Sequence, residues 1–322
     1  MSLTAEDYAV GWICALPKEQ TAAKAILDEI HPKLPKPPND TNTYTLGSIG
    51  GHNIVITCLP KGQISNNSAA NVAAQMVQTF PGIKFGLIVG IGGGVPPKVR
   101  LGDVVVSTPV DKYPGVVQWD LGKAEKDGVF RRTGALNNPP SALLSALGEL
   151  ESSHEMEGSK VRQYLEEMGK KWPRLASKYA ICDHLKDPLS NSMDSADDQA
   201  DDVRVHYGLI ASGNHVIKDA ETRDIVNESL GGNALCFEME APGLMNNFPC
   251  LVIRGICDYA DSGKNKDWQE YAVATAAAFA KEFLEFVQPS DVDHERPVKE
   301  VLDQGCISDE IKVRTKGRPR DL

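Results

Sequence analysis

Val252-Ile-Arg-Gly-Ile-Cys-Asp-Tyr-Ala-Asp261 and the earlier stretch Cys236-Phe-Glu-Met-Glu-Ala-Pro-Gly-Leu244 are apolar, strand-like runs that end on carboxylates. Each reads as a buried strand meeting a loop, so Glu238, Glu240, Asp258 and Asp261 gather where strands finish. Ligands of open α/β sheets bind in the crevice outside the carboxyl ends of the strands. Residues two apart on a strand share a face, so Glu238 and Glu240 are expected to point together. An acidic group at such an edge builds a polar site; the plainer alternative is two solvated acidic loop starts.

Working outward, Tyr8–Leu16 reads as a first strand and Pro17–Glu29 as a helix opened by a proline, which suits a first helical turn. Leu34–Asn42 is a loop, and Tyr44–Cys58 is a hairpin turning at Gly50-Gly51. An alanine-rich helix over Ser68–Phe80 precedes strands at Phe85–Gly90 and Asp103–Ser107. After a polar stretch come a strand at His206–Gly213, a helix at Asp219–Ser229 and a closing helix at Lys266–Val287. This order predicts an α/β fold, a three-layer α/β/α sandwich around a mixed central sheet. Residues 1–288 are expected to form one domain, with a polar helical excursion over about 139–204 that includes a mobile acidic loop at Ser190–Asp202. Residues 289–322 read as a polar linker or tail.

The chain has 322 residues, 41% of them hydrophobic, enough for a full core over most of its length. A net charge of -10 argues against nonspecific binding to nucleic acid or anionic membrane. Seven cysteines, an odd number without a CxxC pair, fit a reduced chain rather than a disulfide scaffold. No zinc-type spacing occurs, and the start Met-Ser-Leu-Thr-Ala-Glu-Asp lacks the features of a signal peptide. No apolar run approaches the ~18 residues that span a bilayer. These readings predict a soluble, cytoplasmic protein.

Four blocks in order carry a family resemblance: Gly11-Trp-Ile-Cys-Ala-Leu-Pro-Lys-Glu-Gln20; Val89-Gly-Ile-Gly-Gly-Gly94 with Leu101-Gly-Asp-Val-Val-Val-Ser107; Ala211-Ser-Gly-Asn214; and the acidic pair of strands. Together they resemble the nucleoside phosphorylase/nucleosidase superfamily, which includes purine nucleoside phosphorylases and methylthioadenosine/S-adenosylhomocysteine nucleosidase. The details look most like the N-terminal domains of fungal immune-receptor-like proteins. The resemblance implies that Asp258 is the general acid that protonates the purine at N7. It implies that Glu240 grips the ribose 2′ and 3′ hydroxyls, with Met239 packed on the sugar and Glu238 beside them. Val216 and Ile217, following Asn214, would read the base, and Glu19 would activate water. It also implies a homo-oligomer, whether dimer, trimer or hexamer.

The chemistry agrees with those roles. Cleaving an N-glycosidic bond needs an acid for the departing base, negative charge near the cationic sugar and a base that aims the nucleophile. No metal or organic cofactor is required. Like-charged neighbours at Glu238, Glu240 and Asp261 are expected to favour the protonated form of Asp258. Gly92 and Gly93 let the backbone approach the sugar and nucleophile. Gly90-Ile-Gly-Gly-Gly-Val-Pro-Pro97 runs into prolines rather than a helix, so a dinucleotide loop is not implied.

Phosphorylases of this family carry an arginine and a serine for phosphate where this chain has Ile88 and Ile91. An isoleucine donates no hydrogen bond, so hydrolysis is favoured over phosphorolysis. Lys18, Lys61, Lys98 and Arg100 keep phosphorolysis as an alternative, and a non-catalytic nucleoside-sensing module is a second. Asn214 stands where many relatives have an aspartate, which leaves the choice of purine open. Lys264 and Lys266 are candidates for holding 5′ phosphates, so the substrate is expected to be an adenine nucleoside or nucleotide, with ATP a leading candidate.

Overall fold

Along β1 (Val10–Cys14) successive side chains alternate between two apolar layers. Val10, Trp12 and Cys14 enter one buried cluster and Ile13 the other, so both faces of the strand are covered. Such a strand belongs in the middle of a sheet with helices on either side. The computed structural model describes residues 3–182, 185–189 and 203–303. The expected mobile loop at Ser190–Asp202 lies outside the described residues.

After β1 come α1 (Pro17–Ala25), β2 (Glu29–His31), β3 (Tyr44–Ile49), β4 (His52–Cys58), α2 (Asn66–Thr79), β5 (Phe85–Gly94) and β6 (Val104–Ser107). The β3–β4 hairpin turns through Gly50 and Gly51 at φ 56° and 84°, the left-handed region glycine tolerates. The small strands β7 (Val116–Gln118), β8 (Gly122–Ala124) and β9 (Phe130–Arg132) follow. Next are α3 (Ser141–Glu157), α4 (Val161–Lys171), α5 (Pro173–Tyr179), β10 (Val205–Ser212), α6 (Ala220–Ser229), β11 (Ala234–Glu238), β12 (Cys250–Asp258), α7 (Gln269–Phe286) and α8 (Pro289–Asp293).

The sheet runs β11-β10-β6-β12-β5-β1-β4-β3-β2. β5 lies parallel to both β1 and β12, and β6 runs antiparallel to β12. Past its pairing with β12, β5 also meets β11 antiparallel through Gly93 and Gly94. Strands β11, β10, β6, β12 and β5 therefore close into a ring, with the carboxylate-bearing ends of β11 and β12 beside the glycines of β5. Non-local closure of this kind has no local signature in sequence.

One helical layer centres on α7, which is buried almost all round and passes so close to β12 that a Cβ on Gly255 would lie 1.7 Å from the Ala272 carbonyl oxygen. Leu143, Leu147 and Leu150 of α3 and Val161, Tyr164 and Met168 of α4 bury into the same cluster. The expected polar excursion is thus a structural part of this layer. The other face is covered by α2, which opens on Ser65 accepting from Ser68 N at 3.2 Å. The expected tail also begins as packed structure: Val292 and Val298 are buried, and Val298 N donates to Ile83 O at 2.8 Å.

Among the described residues, no helix is long and apolar enough to cross a membrane.

Candidate active site

Glu19 is the third residue of α1, and the proline start aims it back toward β1. Its Oε2 accepts from Ala15 N at 2.6 Å and Leu16 N at 2.9 Å, and its Oε1 from Ile91 N at 3.0 Å. Burial raises its pKa, opposed first by the Arg254 charge and then by these three N–H groups. A carboxyl raised in this way sits closer to the range of a working general base.

Glu238 ends β11 and Glu240 follows it after one intervening residue. Glu238 accepts from Glu240 N at 2.9 Å and Ala241 N at 3.1 Å, which holds the chain as it turns. Both carboxylates meet Arg254 Nη2, at 2.6 Å from Glu238 and 3.0 Å from Glu240. Burial opposes the charge on Arg254, but Glu238, Glu240 and Glu19 outweigh it and raise its pKa. Burial also pushes Glu240 up to about 8, with Arg254 opposing and the charges of Glu238 and Glu19 adding to the rise.

Arg254 received no role from the sequence. Its signal was present: a lone arginine inside the otherwise apolar run Val252–Cys257 needs buried partners, and acids are abundant nearby.

Asp258 ends β12, with its Oδ1 accepting from Ala260 N at 2.9 Å and its Oδ2 from the Cys257 thiol at 3.1 Å. The charge beside it is Lys264, whose Nζ lies 3.0 Å from Oδ2 and 3.2 Å from Oδ1. This corrects the expected ring of like charges. Glu238 and Glu240 are drawn to Arg254, and Asp261 Oδ1 instead accepts from Gly263 N at 2.9 Å.

One pocket gathers Glu19, Ile91, Gly92, Gly93, Val216, Ile217, Glu238, Met239, Glu240, Arg254, Asp258 and Lys264. The glycines continue β5 rather than forming a loop, and their missing side chains make room. A Cβ on Gly90 would lie 2.5 Å from both Arg254 Nη1 and Glu19 Oε1, and one on Gly93 would lie 2.9 Å from Asp258 Oδ1. Two expected residues lie outside the pocket wall. Asn214 ties loops together, with its N donating to Asp120 Oδ2 at 2.7 Å and its Oδ1 accepting from Asn66 N at 3.3 Å. Lys266 is exposed.

Ile91 lines the pocket, but Ile88 is buried in the core on the α2 side. Of the cations considered for phosphate, Lys18 pairs with Glu270 at 2.7 Å and Arg100 with Asp103 at 3.2 Å. Lys98 donates to Ala234 O at 2.9 Å. None of these, nor Lys61, is in the pocket wall. Among the described residues, no group of three His, Cys, Asp or Glu side chains is placed to hold a metal ion.

The family model described as the phosphorylase superfamily matches residues 9–288, and the chain belongs to that superfamily. It is 45% identical over 317 residues to a nucleotide-binding leucine-rich repeat (NLR)-like protein of Hyaloscypha variabilis, a match covering 92% of this chain and 31% of that protein. It is 26% identical over 281 residues to the ATP nucleosidase Cap17 of Escherichia coli, covering 85% of this chain and 50% of that protein. The chain thus spans about a third and about half of these two relatives. The crystal structure of 5′-methylthioadenosine/S-adenosylhomocysteine nucleosidase from Neisseria meningitidis in complex with methylthio-immucillin-A shares the fold. Its TM-score is 0.57 at 17% identity, over 86% of this chain and 98% of that one.

Proposed function

We propose that this chain is a nucleosidase that hydrolyses the N-glycosidic bond of an adenine nucleoside or nucleotide, with ATP a leading candidate and residues 1–288 as the catalytic unit. The observation that carries the reading is the joining, in one pocket, of Asp258 at one strand end with Glu19, Glu238 and Glu240 around Arg254. Glu19 takes a proton from a water that attacks C1′. The bond from C1′ to the base breaks, and its electrons go to the purine, which receives a proton at N7 from the Asp258 carboxyl. Glu240 holds the ribose hydroxyls, Met239 packs on the sugar, and Val216 and Ile217 flank the base. Negative charge on the floor favours the cationic sugar of the transition state.

Water is preferred over phosphate as nucleophile for electrostatic reasons. Arg254 Nη2 is already shared by two carboxylates, and Ile91 offers the pocket no side-chain donor. The likeness to the E. coli ATP nucleosidase supports an adenine nucleotide as substrate. The test incubates the protein with ATP, AMP, adenosine, inosine and methylthioadenosine, each with and without phosphate, and follows the free base by chromatography. Adenine released without phosphate is the expected result. Release only with phosphate makes it a phosphorylase, and no release from any substrate makes it a sensing module.

A further inference from the structure

The pocket has two electrically different ends. On the floor, Arg254 Nη2 is already held by Glu238 and Glu240, with Glu19 close by, so a phosphate group placed there meets acidic groups and a cation whose donor is taken. At the rim stands Lys264, with a side chain 25% exposed, against 3% for Asp258. The other basic group in the wall, His215, is turned outward toward Asp120 at 3.5 Å and is 74% exposed. An anionic substituent on a ligand therefore finds its aliphatic ammonium at Lys264. That ammonium is also the counter-ion of Asp258.

We propose that Lys264 is a specificity-determining switch: a phosphate on the substrate's ribose competes with Asp258 for the lysine and, by drawing it away, frees Asp258 to face the base. This deepens the nucleosidase reading and rests on it for the identity of the ligand. The competition is one-sided. Asp258 remains anchored by Ala260 N and the Cys257 thiol when the lysine leaves. Lys264 follows a short turn, in which its N donates to Asp261 O at 3.2 Å, and its long side chain extends from there. A partly exposed ion pair is weakly held and yields readily to a doubly charged anion. A nucleoside without the phosphate leaves the pair intact.

The test measures by calorimetry the affinities of AMP and adenosine as their 9-deaza analogues, whose C-glycosidic bond is not hydrolysed, for the wild type, Lys264→Met, Lys264→Arg and Asp258→Asn. The ratio of the two affinities is read, because any contact to the base or sugar cancels in it. The wild type prefers AMP. Lys264→Met lowers that preference by about tenfold or more, and Lys264→Arg retains most of it. Asp258→Asn removes the competitor and raises the preference about two- to fivefold. An unchanged ratio in Asp258→Asn overturns the competition, and a preference retained in Lys264→Met overturns the site. If the wild type releases no adenine from any substrate but the ratios shift as stated, the nucleosidase reading falls and the switch stands.

Discussion

On the floor of the pocket a guanidinium, 2% exposed, holds two carboxylates at 2.6 and 3.0 Å; at the rim an ammonium, 25% exposed, holds one at 3.0 Å. The distances are alike and the surroundings are not. Arg254 is almost wholly buried, so losing a partner leaves its charge stranded in a low dielectric. Around Lys264 solvent is at hand, so the partner can be exchanged at small cost. Contact geometry alone does not distinguish a fixed element from an exchangeable one; burial does.

The largest expected effect tests the acid itself. Asp258→Asn lowers adenine release by about 10²- to 10⁴-fold while the far-ultraviolet circular dichroism is retained. A loss below tenfold would remove Asp258 from the chemistry. Next, Arg254→Met destabilises the fold by about 3–5 kcal/mol in urea denaturation, whereas Lys264→Met costs under about 1 kcal/mol. Equal losses at the two positions would abolish the contrast between floor and rim.

Glu240 sharpens the same contrast through pH. With its pKa raised from 4.5 to about 8, its proton is held more tightly in the folded than in the unfolded chain. Its contribution to stability is therefore complete below about pH 4.5 and is lost as the pH rises through about 8. Denaturation midpoints of the wild type fall across that window, and Glu240→Gln flattens the fall. Gly90→Ala forces a methyl group between Arg254 and Glu19 and costs about 1–3 kcal/mol. Far from the pocket, Val298→Ala, in the packed start of the tail, costs about 1–2 kcal/mol by loss of buried methyl groups.

Most of the fold was legible because the strands of the sheet core are apolar runs bounded by turns, and Pro17, Gly50-Gly51 and Asp219 mark element boundaries chemically. The gathering of Asp258, Glu238, Glu240 and Glu19 in one pocket was legible because acids that end or follow buried strands collect at the same edge of the sheet. Arg254 was passed over because it interrupts a strand that otherwise reads as core. Lys266 and Asn214 lie outside the pocket wall, because side-chain direction in a turn depends on local dihedrals that no periodicity encodes. The packing of Val292 and Val298 escaped notice because two isolated apolar residues in a charged segment make no pattern. The ring closure of β5 onto β11 joins residues about 140 positions apart in sequence, beyond the reach of any local reading.

That closure has a kinetic consequence. A run of glycines is ordinarily the part of a chain that opens to solvent first. Here Gly90–Gly94 lies past the pairing with β1, which ends at Ile88, but it is held by β12 through Gly93 and its end is stitched to β11 as well. Its amide protons are expected to be among the slower to exchange with deuterium in the domain, so the glycine-rich strand, which leaves the pocket open, is also among the last to let go when the protein breathes.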